Sequence, residues 1–244
     1  MWAKVTLAYD GSRFFGSQSL ADHRFQPTVL GKLEEVLGCI GIACRVQAAG
    51  RTDRGVHATA QVVSFELPTH WQDSPQRLQE ELQRQLWPLM DIRQVAFFST
   101  PFHARFDARG RVYRYLISPA KPTTFQSAYM TWAPDFDPLR AQEAIGLFEG
   151  RHDFVHFSKR GSDEKSTVRH LKSARLYRHG PLYIARFEAN AFLRSQVRLM
   201  ISAVLSVAAH KAEPKAIIRQ LNADAIRFRI PAAAGGLYLA KVRY

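Results

Sequence analysis

The chain has 244 residues, 46% of them apolar and 23% charged, which is the composition of a folded protein and excludes a wholly disordered one. Lys plus Arg number 34 against 21 Asp plus Glu, a formal net charge of +13 with a sequence pI near 10.1. No apolar run approaches ~18 residues, so no membrane span is expected, and a field of this sign attracts polyanions, nucleic acid first among them.

In chain order, Val5, Leu7 and Tyr9 alternate with Thr6 and Ala8 and predict a strand, closed by the turn residues Asp10-Gly11-Ser12. Thr28 is placed to cap a helix whose buried face is Val29, Leu30, Leu33, Val36 and Leu37, with Gly38 as its stop. Ala60 to Leu67 reads as a strand ended by Pro68. Ser74-Pro75 opens a helix with Leu78, Leu82 and Leu86 on one face, and Pro88 ends it. Ile92 to Phe98 and Val112 to Ile117 are strands. A third helix runs from Asp137-Pro138 to near Gly150. A strand from Leu176 pairs with Leu182 to Phe187 through a turn at His179-Gly180. Val197, Ile201, Val204, Leu205 and Ala208 stripe a fourth helix, Glu213-Pro214 opens a fifth, and Leu237 to Val242 closes the chain as a strand.

This order predicts an α+β fold rather than a doubly wound parallel sheet. Two similar lobes are expected, residues 1–100 and 101–244, each a mixed, largely antiparallel sheet flanked by helices. The expected active site is a cleft between them. The basic residues are spread along the chain, as a folded basic cleft requires. Cys39 and Cys44 form no CxxC pair and no zinc spacing, and are expected to be small core residues in a reducing compartment. Residues 1–5 show no signal-peptide pattern, so a cytoplasmic protein is expected.

The segment Ala49-Gly50-Arg51-Thr52-Asp53-Arg54-Gly55-Val56-His57-Ala58 concentrates the chemistry. Its glycines permit tight turns and close approach of a ligand. Arg51 and Arg54 flank Asp53. Nearby positive charge favours a carboxylate, and a positioned carboxylate serves as a nucleophile or as an ion-pair partner. Spacing alone leaves both open.

Residues 50–58 resemble GRTDxGVHA, the signature of the TruA family of tRNA pseudouridine synthases. Other segments resemble the same family in order: Tyr9-Asp10-Gly11 with Phe15-Gly16 and Gln18, Thr28-Val29 with Leu33-Glu34, and Phe102-His103-Ala104-Arg105-Phe106. Arg111-Val112-Tyr113-Arg114-Tyr115 follows, then Gly150 with His152-Asp153-Phe154, Thr167 with Arg169, Asn190-Ala191-Phe192-Leu193 with Val197-Arg198, and Gly236-Leu237-Tyr238-Leu239. The likeness therefore spans residues 9–239. Ser17 stands where the family has Trp, and Ser195-Gln196 where it has His-Met.

The resemblance implies the pseudouridine synthase fold and isomerisation of uridine to pseudouridine in the anticodon stem-loop of tRNA, at positions 38 to 40. The nucleotide is flipped out of its stack, and the carboxylate of Asp53 acts at the ribose by attack or elimination. Arg51 is implied to hold the flipped nucleotide, Tyr113 to pack on the base, Arg198 to pair with Asp53, and Leu237 to line the pocket. Phe102, His103, Ala104, Arg105 and Phe106 are expected RNA contacts, with the Lys159–Arg169 loop. His57 and His103 are structural or RNA-contacting. A homodimer is implied, with no metal and no organic cofactor. The alternatives are a synthase for another RNA position or a non-catalytic tRNA-binding module. A metal-dependent nuclease needs a carboxylate cluster that the sequence does not show.

Overall fold

The computed structural model describes residues 1–18, 26–71, 74–159 and 166–244. The chain divides into two compact units, Met1–Arg109 with Tyr238–Tyr244, and Gly110–Leu237.

The first unit holds β1 (Trp2–Tyr9), α1 (Val29–Cys39), β2 (Gln47–Ala48), β3 (His57–Glu66), α2 (Pro75–Leu86) and β4 (Met90–Phe98). The last strand of the chain, β10 (Leu237–Arg243), joins it by running parallel to β3, with Tyr238 opposite His57. β1 lies between β3 and β4 and is antiparallel to both, Val5 facing Val63 on one side and Val95 on the other. Ala3, Val5 and Leu7 have no exposure, as the alternation of β1 requires. Both helices begin on side-chain caps: Thr28 Oγ1 accepts from Gly31 N at 3.2 Å, and Ser74 Oγ from Arg77 N at 3.2 Å. Leu78, Leu82 and Leu86 of α2 are fully buried, each stabilising the unit by roughly 1.5–3 kcal/mol.

The second unit holds β5 (Gly110–Ser118), β6 (Thr131–Trp132), α3 (Pro138–Gly146), β7 (Gly150–Asp153), β8 (Val168–His179), β9 (Leu182–Ala189), α4 (Gln196–Ala208) and α5 (Lys215–Leu221). β5, β9, β8 and β7 are neighbours in that order and antiparallel throughout, while β6 lies parallel to the end of β5. Asp137 caps α3 by accepting from Leu139 N and Arg140 N, and α3 packs on α4 and β8.

The expected α+β class is borne out, with corrections to particular elements. β3 starts at His57, three residues early, and β8 at Val168 rather than Leu176. α1 continues through Gly38 to Cys39, and it is Gly41 that takes the left-handed backbone, at φ +81°. α3 stops at Gly146. β2, β6 and β7 were not expected. The cysteines are free and neither is in the core: Cys39 is exposed and Cys44 half-buried. Among the described residues no helix is long and apolar enough to cross a membrane.

Candidate active site

Asp53 sits, half-buried, in the loop between β2 and β3. Val56 N donates to Asp53 O at 3.1 Å and closes a tight turn, with Gly55 at φ +79°. Gly11, two residues past the end of β1, lies against this turn. A Cβ on Gly11 would lie 2.0 Å from Val56 O, so any side chain there forces the backbone to shift. Gly16, at φ +93°, would place a Cβ 3.0 Å from Thr52 O.

Thr52, the neighbour of Asp53, is buried and held on three sides. Its hydroxyl meets Tyr9 Oη at 2.8 Å, its amide donates to Ser17 Oγ at 2.9 Å, and its carbonyl accepts from Ser17 N at 3.0 Å. Gln61, with no exposure, donates from Nε2 to Gly50 O at 2.8 Å. Burial pushes the Tyr9 phenol up to about 12, against the pull of its bonds to Thr52 and Gln61, so it stays a neutral hydroxyl. The backbone leading into Asp53 is thus anchored by buried polar groups, each costly to leave unpaired.

The two flanking arginines differ. Arg51 is exposed. The Arg54 guanidinium lies 4.0 Å from the centroid of the Phe15 ring, so its partner is an aromatic face rather than the neighbouring carboxylate. His57 is structural, with 2% exposure. Its Nδ1 accepts from Gly11 N at 3.0 Å, with Asp10 Oδ1 3.2 Å away, and its ring stacks on Tyr238 at 4.7 Å.

In the segment 102–106 the residues separate. Ala104 has no exposure. Its N donates to Ser64 Oγ at 2.9 Å and its O accepts from Tyr244 Oη at 2.9 Å. Phe102 packs on Phe98 and Tyr244. His103 Nδ1 accepts from Arg105 N and Phe106 N and shapes the turn. These three have contacts within the unit's own structure, and Phe102 and His103 keep part of their surface accessible. Arg105 and Phe106, the latter 73% exposed, are the members that face solvent.

In the second unit, Tyr113 of β5 stands opposite Phe187 of β9, edge-on to Phe192 at 5.2 Å and 8% exposed. Tyr115, two residues on, is fully buried. Its hydroxyl lies 2.5 Å from Thr131 Oγ1 and donates to Ala233 O at 2.9 Å. Burial pushes it up to about 12, against the Arg198 cation and the Thr131 bond. Gly236 lies against the Tyr115 ring, where a Cβ would come within 2.8 Å. Arg198, half-buried on the first turns of α4, donates from Nε to Ala232 O at 2.8 Å, and its own carbonyl accepts from Ala232 N at 3.0 Å. Leu237 is 5% exposed. Arg198, Tyr115 and the segment leading to Leu237 thus form one assembly.

The departures from the family pattern are accommodated locally. Ser195 takes a left-handed backbone at φ 58°, and Gln196, fully buried, accepts from Leu193 N through Oε1 at 2.8 Å. Of the Lys159–Arg169 loop, residues 160–165 lie outside the described residues. Among the described residues no group of three or more His, Cys, Asp or Glu side chains is arranged to hold a metal ion. The residues that sequence reading left without a role are Ser17 and Gln61. A Gln set in the apolar run of β3 was the one available signal for the second.

Residues 144–244 match a family model described as tRNA pseudouridine synthase. Over 238 residues the chain is 42% identical to a tRNA pseudouridine synthase A from Wolinella succinogenes, covering 98% of this chain and 92% of that one. The proteins of the same name from Helicobacter hepaticus and Helicobacter pylori are 36% and 38% identical, each over 99% of this chain and 98% of their own length. A chain of the crystallised Cbf5-Nop10-Gar1 complex overlaps 85% of this chain at 13% identity and a TM-score of 0.37, too slight a likeness to carry an argument.

Proposed function

The chain belongs to the tRNA pseudouridine synthase A family, and we propose that it converts uridine to pseudouridine in the anticodon stem-loop of tRNA, at positions 38 to 40, with Asp53 as the reacting carboxylate. The observation that carries this reading is the anchoring of the Asp53 loop. Thr52 is locked by Tyr9 and Ser17, so the carboxylate next to it has a fixed origin. Fixed geometry is what a nucleophile needs.

The reaction breaks the bond from C1′ of the ribose to N1 of the base, turns the base, and joins C1′ to C5. The hydrogen on C5 leaves as a proton and N1 takes one up, so the product is an isomer of the substrate. Asp53 serves by attack at the sugar or by promoting elimination to a glycal. Tyr113 packs on the target base, a contact worth roughly 1–3 kcal/mol for base on aromatic ring. Arg51 holds the flipped nucleotide by stacking and by its forked donors. Arg198 is the partner of the carboxylate, and Leu237 is an apolar wall. Arg105 and Phe106 touch the RNA further out. In this reading the protein is a cytoplasmic homodimer, and its +13 charge draws the tRNA in.

The test is tritium release from tRNA labelled at C5 of uridine, comparing the wild type with Asp53→Ala at matched RNA binding. Release by the wild type alone is expected. Tight binding without release by either protein makes it a binding module instead. Mapping the product then fixes the position: modification confined to sites outside the anticodon arm sinks the positional claim and leaves the chemistry.

A further inference from the structure

We propose that Arg54, laid on the ring of Phe15, is a phosphate-binding residue for the RNA strand that carries the target uridine. The inference rests on the reading of Asp53 as the reacting carboxylate, one residue away. The family signature leaves the position of Arg54 open, so nothing in the resemblance gives it a role.

Three observations carry it. The guanidinium is exposed, yet fixed: its centre lies 4.0 Å from the Phe15 ring centroid. Its backbone belongs to the closed Asp53–Val56 turn, and Phe15 is anchored in turn by its amide, which donates to Pro27 O at 2.9 Å. Stacking uses only the flat face of a guanidinium. All five of its N–H donors point along the edge, in the plane. None of the ion pairs seen among the described residues includes Arg54. What remains is a rigid fork beside Asp53 with its edge donors in reach of solvent. That geometry matches the paired oxygens of a phosphodiester. Because Phe15 has already restricted the side chain, less freedom is lost when the phosphate binds.

Asp53 is one peptide bond away, so the phosphate reached is one close to the flipped nucleotide rather than on a distant arm. Arg54 acts as a specificity and positioning contact, not as a catalytic group. Its loss is felt in KM.

The experiment measures binding of an anticodon-arm RNA to the full-length wild type, Arg54→Ala, Arg54→Lys and Phe15→Leu across a salt series. Arg54→Ala is expected to reduce the slope of log K against log salt by about one, the signature of one lost phosphate contact. Arg54→Lys keeps the slope and weakens binding, because the charge stays and the fork goes. Phe15→Leu also keeps the slope and weakens binding. A second arm replaces single phosphates around the target uridine by neutral methylphosphonates. One such replacement is expected to weaken the wild type and leave Arg54→Ala unaffected. The proposal is overturned if the slope of Arg54→Ala equals that of the wild type, or if every methylphosphonate affects both proteins alike. A wild type that releases no tritium but shows the slope difference supports the phosphate contact and overturns only the assigned reaction.

Discussion

Ser17 and Thr52 hold each other twice: the Thr52 amide donates to the Ser17 hydroxyl at 2.9 Å, and the Ser17 amide donates to the Thr52 carbonyl at 3.0 Å. Ser17 is 1% exposed and Thr52 is 7% exposed, so water cannot replace either bond. Ser17→Ala removes only the hydroxyl. The Thr52 N–H is then buried without a partner, a cost of about 1–3 kcal/mol. The expected outcome is a lower urea midpoint together with a fall in kcat at unchanged tRNA affinity. Loss of stability with full turnover would show that the loop carrying Asp53 does not depend on this pair.

The two buried phenols give a pH dependence with a definite sign. Tyr9 and Tyr115 are both pushed up to about 12 by burial, against about 10 in the unfolded chain. The folded state therefore holds these protons more tightly. Their contribution is fully present below pH ~10 and is lost as pH rises through the folded value of about 12. At the low end of that window each contributes on the order of 2 kcal/mol. Urea unfolding between neutral pH and the alkaline limit is expected to show a steeper loss of stability in the wild type than in Tyr9→Phe or Tyr115→Phe. Identical slopes would mean that the two phenols titrate normally in the folded chain.

What was legible in the sequence was local. The helices opened by Ser74-Pro75 and Asp137-Pro138 start where they were expected, because cap and proline act within one turn. The strands β2 and β6 have two residues each and β7 has four, and no periodicity exists over such lengths; only their pairing defines them. The clamp on the Asp53 loop was hidden for the same reason. Ser17 lies 35 residues from Thr52 and Tyr9 lies 43 from it. The burial of Ala104 depends on Tyr244, 140 residues away. Asp53 itself was found by likeness to a motif, since its spacing from two arginines allowed an ion pair equally well. The structure gave Arg54 an aromatic partner that the sequence did not suggest.

Tyr113 separates packing from chemistry. Its ring is 8% exposed and edge-on to Phe192, so Phe at this position keeps the packing and removes only the hydroxyl. If that hydroxyl moves a proton at the sugar, Tyr113→Phe is expected to lose roughly 10²–10⁴-fold in kcat when compared under conditions where wild type and variant are both fully folded. Tyr113→Leu is expected to lose tRNA affinity as well, because the stacking surface goes. Full turnover by Tyr113→Phe, measured by tritium release at saturating tRNA, would leave the ring as the residue's whole contribution.

Gly11 tests the same site through the backbone. A methyl group there would stand 2.0 Å from the Val56 carbonyl oxygen and 2.4 Å from its carbon, well inside contact distance. Neither is the end of a flexible side chain, so the turn from Asp53 to Val56 must shift. Overpacking of this kind costs about 1–3 kcal/mol. The shift also moves the carboxylate of Asp53, whose turn is closed by the Val56 amide. Gly11→Ala is therefore expected to fold with a lowered urea midpoint and to lose turnover out of proportion to that destabilisation, since small displacements of a reacting group are costly. Comparison at a temperature where wild type and variant are both fully folded isolates the second effect. Equal kcat under those conditions would mean that the turn yields elsewhere and that the position of Asp53 is not set by the segment that lies against it.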